Sequence, residues 1–125
     1  MIEPLIYVDR SEVRTGKLEQ LRTAIAELAA FVEANEPQLL SYAAFIDPDG
    51  EHMTITHVHR DPDSLERHLA VAGPLFARFA DLVRLRRIDL YGSPSEAAVA
   101  SLREKAALLG GATVEVHPLE AGFIR

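Results

Sequence analysis

The order of elements in this chain, strand, helix, strand, strand, helix, strand, predicts an α+β protein with a ferredoxin-like βαββαβ sheet and its helices on one face. Three observations carry the prediction: a helical apolar stripe from Leu18 to Val32, a hairpin signal at Asp47-Pro48-Asp49-Gly50 between two apolar runs, and an Asp61-Pro62 helix start. A further helix and short strand over residues 93–125 read as an extension of the 4–92 core. No repeat or low-complexity tract interrupts residues 1–125, which read as a single domain.

Residues 4–10, PLIYVDR, are β-branched and aromatic and form the first predicted strand, with Thr15 the expected N-cap of the helix that follows. Leu18, Leu21, Ile25, Leu28, Ala29 and Val32 fall three and four apart, the spacing of one helix face. That helix should end near Glu36-Pro37, because a residue before proline is pushed out of the helical region. The runs QLLSYAAFI and EHMTITHVH flank the turn, whose Pro48 fixes φ and whose Gly50 accepts positive φ. Strand alternation puts Leu40, Tyr42, Ala44 and Ile46 on one face with Met53, Ile55 and His57, and Leu39, Ala43 and Phe45 on the other with Thr54, Thr56 and Val58.

Asp61 and Pro62 open the second helix with Leu65, His68, Leu69 and Ala72 on one face, and Gly73-Pro74 breaks it before a short helical segment. LVRLRRIDLYG is the fourth strand. Ser93-Pro94-Ser95-Glu96 reads as Ser at the N-cap, Pro at N1 and Glu at N3 of a third helix that stops at Gly110-Gly111; ATVEVH is a last strand and PLEAGFIR a tail. Since both faces of the hairpin carry apolar residues and the helices cover only one, a second copy of the chain is expected on the other, as a two-fold homodimer packed through its sheets.

Composition narrows the function. With 125 residues and 48% hydrophobic content the chain can bury one core, and its lack of cysteine excludes disulfides, thiolate nucleophiles and Cys-based metal sites. A net charge of -6 argues against nucleic acid as a partner. The chain has no apolar run long enough to span a bilayer and no export signal, so no membrane partner and a cytoplasmic location are expected.

Three of the five histidines lie in HMTITHVHR, residues 52–60. Alternation sends His57 and His59 to one face and His52 to the other, so the three cannot converge on a metal without a bulge; no metal site is assigned and His52 is expected to be solvated. His68 points toward the sheet from an apolar helix face, where a lone histidine is most often a satisfied core residue. The functional reading is that His68, His57 and Tyr42 meet in a cavity between helix and sheet and take a proton from a phenolic substrate. Tyr7 and Tyr42 serve first as strand core residues. Asp9, Arg10, Arg86, Arg87 and Asp89 are explained by cross-strand ion pairs, and the basic run at 84–87 by solvation or an interface.

Gly16-Lys17, Glu36-Pro37, Ser41-Tyr42, the Asp47 to Gly50 hairpin, Asp61 and His68-Leu69 follow a pattern similar to that of the antibiotic-biosynthesis-monooxygenase-like members of the dimeric α+β barrel superfamily, over roughly residues 4–92. The resemblance implies a homodimer that holds a small apolar or aromatic molecule between sheet and helices. The activity it implies is a cofactor-independent monooxygenase acting on a quinol or polyketide-like substrate, with no cofactor. On this reading His68, His57 and Tyr42 are the catalytic candidates, and His59, Tyr7, Ile55, Leu65 and Ala72 surround the substrate. The chain departs from the family's oxygenases in having no tryptophan; the positions of their Trp and Asn align with His59 and Ile55, and that of a frequent Glu with His57. Heme-degrading relatives use a histidine late in the second helix, where this chain has FARFAD, so heme degradation is disfavoured. Two rivals are a non-catalytic binding or interaction module of the same fold and an RNA-binding module. The latter fails because its paired stacking aromatics are missing from the third strand.

Overall fold

The computed structural model describes residues 3–125. Its elements are β1 (Leu5–Val13), α1 (Leu18–Asn35), β2 (Leu39–Ile46), β3 (His52–His59), α2 (Pro62–Ala72), a 3₁₀ segment (Gly73–Phe79), β4 (Val83–Tyr91), α3 (Glu96–Leu108) and β5 (Thr113–His117). They build one sheet in the order β2-β3-β1-β4-β5. The four core strands pair antiparallel, which is the ferredoxin-like arrangement, and β5 adds to the edge parallel to β4 of its own chain. A parallel neighbour needs a crossover, and α3 is that crossover. The helices of the described residues are too short or too polar to cross a membrane.

Local chemistry explains the boundaries, including those that differ from expectation. The first strand runs through Ser11 to Val13, past the predicted end at Arg10, because it is hydrogen-bonded along that length by both β3 and β4. Thr15 does not cap α1: the N-cap is Lys17, with no side-chain cap. The helix ends as proline demands, with Glu36 as C-cap and its N–H on the Val32 carbonyl. Asp61 caps α2 as expected, its carboxylate accepting from the Ser64 N–H at 2.9 Å. Ser93 does not cap α3. Ser95 does, accepting from the Ala98 N–H at 3.1 Å, so the helix starts two residues later and Pro94 lies ahead of it.

The register agrees with the alternation for most of the hairpin, pairing Tyr42 with His57, Ala44 with Ile55 and Ile46 with Met53. At its far end an irregularity between Leu39 and Ser41 reverses two residues. Leu39 pairs with His59 and packs against the core, whereas Leu40 is 48% exposed. An inserted residue shifts every side chain beyond it to the other face, which simple alternation cannot anticipate.

Under the helices lie Leu5, Tyr7, Asp9 and Ser11 of β1 and Met53, Ile55, His57 and His59 of β3, all buried. The inner stripe of α1, Leu21, Ala24, Ile25, Leu28 and Val32, closes over them. The helices cover only this face, as expected; on the other face of the single chain Ile6 is 39%, Phe45 56% and Tyr91 43% exposed.

Candidate active site

Beneath the helices the apolar core is interrupted by a run of polar side chains, each placed by a local rule. Alternation along β3 turns His57 and His59 inward; alternation along β1 does the same for Tyr7 and Asp9. On α2, Ser64 and His68 are four apart and therefore face the sheet together. The break at Pro37 leaves Glu36 just off the end of α1 with its carboxylate turned into the core, only 2% of the residue exposed.

These groups pair closely. His68 Nδ1 lies 2.9 Å from both carboxylate oxygens of Glu36, so the ring donates to the carboxylate from that nitrogen. Gln38 Nε2 donates to the same carboxylate at 3.3 Å. His59 Nδ1 stands 2.7 Å from Ser64 Oγ. His57 Nδ1 donates to the Tyr7 carbonyl at 2.9 Å, which fixes the tautomer and leaves the lone pair on Nε2. The rings form one cluster: His57 stacks on Tyr7 at 4.0 Å between centroids and lies 5.1 Å from His68 and 4.9 Å from Tyr42. Three buried atoms of the cluster, His59 Nε2, His68 Nε2 and Gln38 Oε1, have no hydrogen-bond partner among the described residues.

Burial governs the ionisation. It pushes His57 far below the usual imidazole range, helped by the nearby charges of His68 and Lys105, and pushes His59 down to about 3, helped by His68. Both rings are neutral at physiological pH. Burial and then the Asp9 carboxylate raise the phenol of Tyr7, and burial raises that of Tyr42, so both hydroxyls keep their protons.

The cluster borders a cavity with about 30 Å³ of room for water-molecule centres, enough for about two waters. Its polar walls are Asp9, Ser11, Tyr42, His57 and Lys105; Ile55, Met53, Phe76 and Phe79 supply apolar ones. A separate open cleft of about 530 Å³ between α1 and β2 is lined by Glu36, Leu39, Ser41 and Tyr42, so Tyr42 stands between cleft and cavity.

The expected trio of His68, His57 and Tyr42 is therefore brought together, but only His57 and Tyr42 wall the cavity; His68 is packed behind them. Of the expected substrate neighbours, Ile55 lines the cavity, whereas His59, Tyr7, Leu65 and Ala72 are core residues outside its wall. His52 is half-buried and lies 3.7 Å from Asp47.

Four further residues belong to the cluster. The sequence marks Glu36 as a helix stop and gives no sign of its pairing with His68. Ser64 stands in an ordinary helix start, with nothing local to announce its contact with His59. Asp9 does not join the surface ion pairs expected for it: it faces inward and meets Lys105 Nζ at 3.3 Å. Lys105 also donates to the Tyr7 hydroxyl at 2.6 Å. The signal for Lys105 was present, since it sits beside Ala98, Leu102, Ala106 and Leu109 on the inner stripe of α3.

No family model matches this chain, and no curated protein matches it in sequence. Solved structures do match. The chain is similar to MupZ from Pseudomonas fluorescens, with a TM-score of 0.76 and 20% identity, covering 100% of this chain and 91% of that one. It is also similar to SnoaB, a cofactor-independent oxygenase from Streptomyces nogalater, with a TM-score of 0.62 and 22% identity over 74% of this chain and 95% of that one. A candidate antibiotic biosynthesis monooxygenase from Chloroflexus aurantiacus matches with a TM-score of 0.58 and 21% identity, over 70% of this chain and 89% of that one. The sheet, its helices and these matches together show that the chain shares the ferredoxin-like α+β fold of these proteins.

Proposed function

We propose that this protein is a cofactor-independent monooxygenase of a small aromatic substrate, quinol or polyketide-like, held between the sheet and the helices. The observation that carries the reading is the geometry of His57: an imidazole in the cavity wall with its Nδ1 proton given to the Tyr7 carbonyl and its Nε2 lone pair left to accept one. It is a base whose burial-depressed pKa the substrate anion formed beside it has to raise. Removing a proton from an activated phenol or methylene leaves an electron-rich anion that can reduce dioxygen directly. For a methylene the balance is RR′CH2 + O2 giving RR′C=O + H2O; the carbon is oxidised, one oxygen atom enters the product and the other leaves as water. The protein's part is deprotonation, orientation and a dry enclosure. Tyr42, between cleft and cavity, is the residue past which the substrate moves, and Glu36 with His68 braces the ring cluster from behind. The name of SnoaB as a cofactor-independent oxygenase supports the same reaction class.

The test is oxygen uptake with a panel of quinols and anthrones under labelled dioxygen. Wild-type protein should incorporate one labelled atom per product, and His57→Ala should lower kcat by about 10²-fold or more with the fold intact. Undiminished turnover by that variant would remove His57 from the chemistry.

The open sheet face supports the homodimer part of the reading. Ile6, Phe45 and Tyr91 are exposed there in one chain, and an isologous partner sheet would cover them. Sedimentation at micromolar concentration should give a two-chain species; a single-chain species would overturn the assembly.

The alternative is a non-catalytic binding module, and the cavity asks the same of both readings: it has room for about two waters, several-fold less than an aromatic ring needs, so wall side chains must move to admit either ligand. Saturable binding of an aromatic ligand with no product under oxygen would decide for that module.

A further inference from the structure

Lys105 has no role in the deprotonation just described, and its placement is costly for a purely structural residue. Its side chain is 9% exposed and that of Asp9 3%. A buried ion pair is seldom more stabilising than apolar residues of the same volume. The neighbours of Lys105 on the inner face of α3 are Ala98, Leu102 and Ala106, so a leucine or methionine would complete that stripe at no such cost.

The geometry is that of a fixed donor. The ammonium carries three N–H bonds. Tyr7 Oη accepts one at 2.6 Å and Asp9 Oδ2 a second at 3.3 Å. The Phe76 ring lies 4.1 Å below the charge. The third donor belongs to a side chain that forms part of the cavity wall, as do Asp9, Tyr42 and His57.

We propose that Lys105, held in place by Asp9 and Tyr7, is an oxyanion subsite of the cavity, taking the phenolate or enolate oxygen of an aromatic ligand. This rests on the reading of the cavity as the site of an acidic aromatic substrate. When His57 Nε2 accepts the substrate proton, the electron pair stays on the substrate and its charge collects on oxygen. A preorganised N–H donor there stabilises the anion without reorganisation. Asp9 orients the ammonium and, as a negative charge, limits how strongly the subsite favours anions. Removing that charge should therefore strengthen anion binding, the reverse of removing Lys105.

The experiment is an absorbance titration of 4-nitrophenol against the whole protein across pH, since phenol and phenolate differ in colour. Wild type should bind the phenolate at least about tenfold more tightly than the phenol, a downward shift of about one pH unit in the bound probe's ionisation. Asp9→Asn should increase that preference. Lys105→Met alone leaves Asp9 buried without its counter-charge and puts folding at risk, so the deciding variant is Asp9→Asn combined with Lys105→Met, a neutral pair of similar volume; it should lose the preference. Preferential binding of the neutral phenol by wild type, no saturable binding at all, or a preference retained in the double variant would each overturn the subsite. Oxygen uptake separates this from the oxygenase reading. Phenolate binding with no uptake from any quinol leaves the subsite standing and removes the oxygenase, whereas uptake unchanged in the double variant does the reverse.

Discussion

The two faces of the sheet treat the same kinds of residue in opposite ways. Beneath the helices, His57 and His59 are held neutral, and Glu36–His68 and Asp9–Lys105 pair out of water. Across the same strands, the open face carries Arg86–Glu12 at 2.8 Å and Arg87 shared between Asp89 and Glu115 at 2.8 and 3.0 Å, with the arginine side chains about half exposed. On the open face water screens each charge, and the partners hold Glu12 and Asp89 below the usual carboxylate range at little consequence for stability. On the covered face an unpaired charge has nowhere to go, so removing one partner exposes the full desolvation cost. The covered face is where the buried titratable groups, and with them the stability at stake, are concentrated.

The comparison can be tested at three levels of effect. The largest belongs to Glu36→Ala, which takes the acceptor from His68 Nδ1 and the bond from Gln38; urea unfolding should show a loss of about 3–5 kcal/mol. A loss under 1 kcal/mol would mean that the Glu36–His68 pair is not a stabilising centre. Next is acid. His57 and His59 have folded pKa values depressed below the ordinary 6.5, so the unfolded chain takes up protons first as pH falls. Stability is fully present above about 6.5 and is lost below it, down toward about 3 for His59, at up to about 1.4 kcal/mol per pH unit for each histidine. Unfolding free energies at pH 7 and pH 5 should differ by up to about 4 kcal/mol, about 2 from each histidine, and a flat profile would show that these rings are hydrated. The smallest effect is on the open face. Glu12→Gln breaks the Arg86 pair, yet its urea midpoint should coincide with that of the wild type in both low and high salt.

The backbone plan was legible because local rules dominate it. The apolar stripe of α1, the proline stop at Glu36, the Asp-Pro-Asp-Gly turn and the Asp61 cap each act over a few residues, and each appears where the sequence puts it. The departures have equally local causes. Ser93 and Ser95 are both capping residues beside Pro94, and only Ser95 reaches the helix; the irregularity after Leu39 shifts a face that strict alternation keeps. Within the site, the inward pointing of His57, His59 and His68 was readable from periods of two and 3.6.

Sequence alone therefore determined the element order, the inner and outer positions of the hairpin from Tyr42 onward and the histidine-bearing strand and helix, since all follow from spacing along one segment. Only the tertiary structure decided which of those side chains meet. Glu36 and His68 are 32 residues apart, Asp9 and Lys105 are 96 apart, and β5 pairs with β4 across α3. Such partners are chosen by how the helices pack across the sheet and by the high cost of leaving a buried charge or donor alone, quantities that exist only once distant segments share one low-dielectric interior.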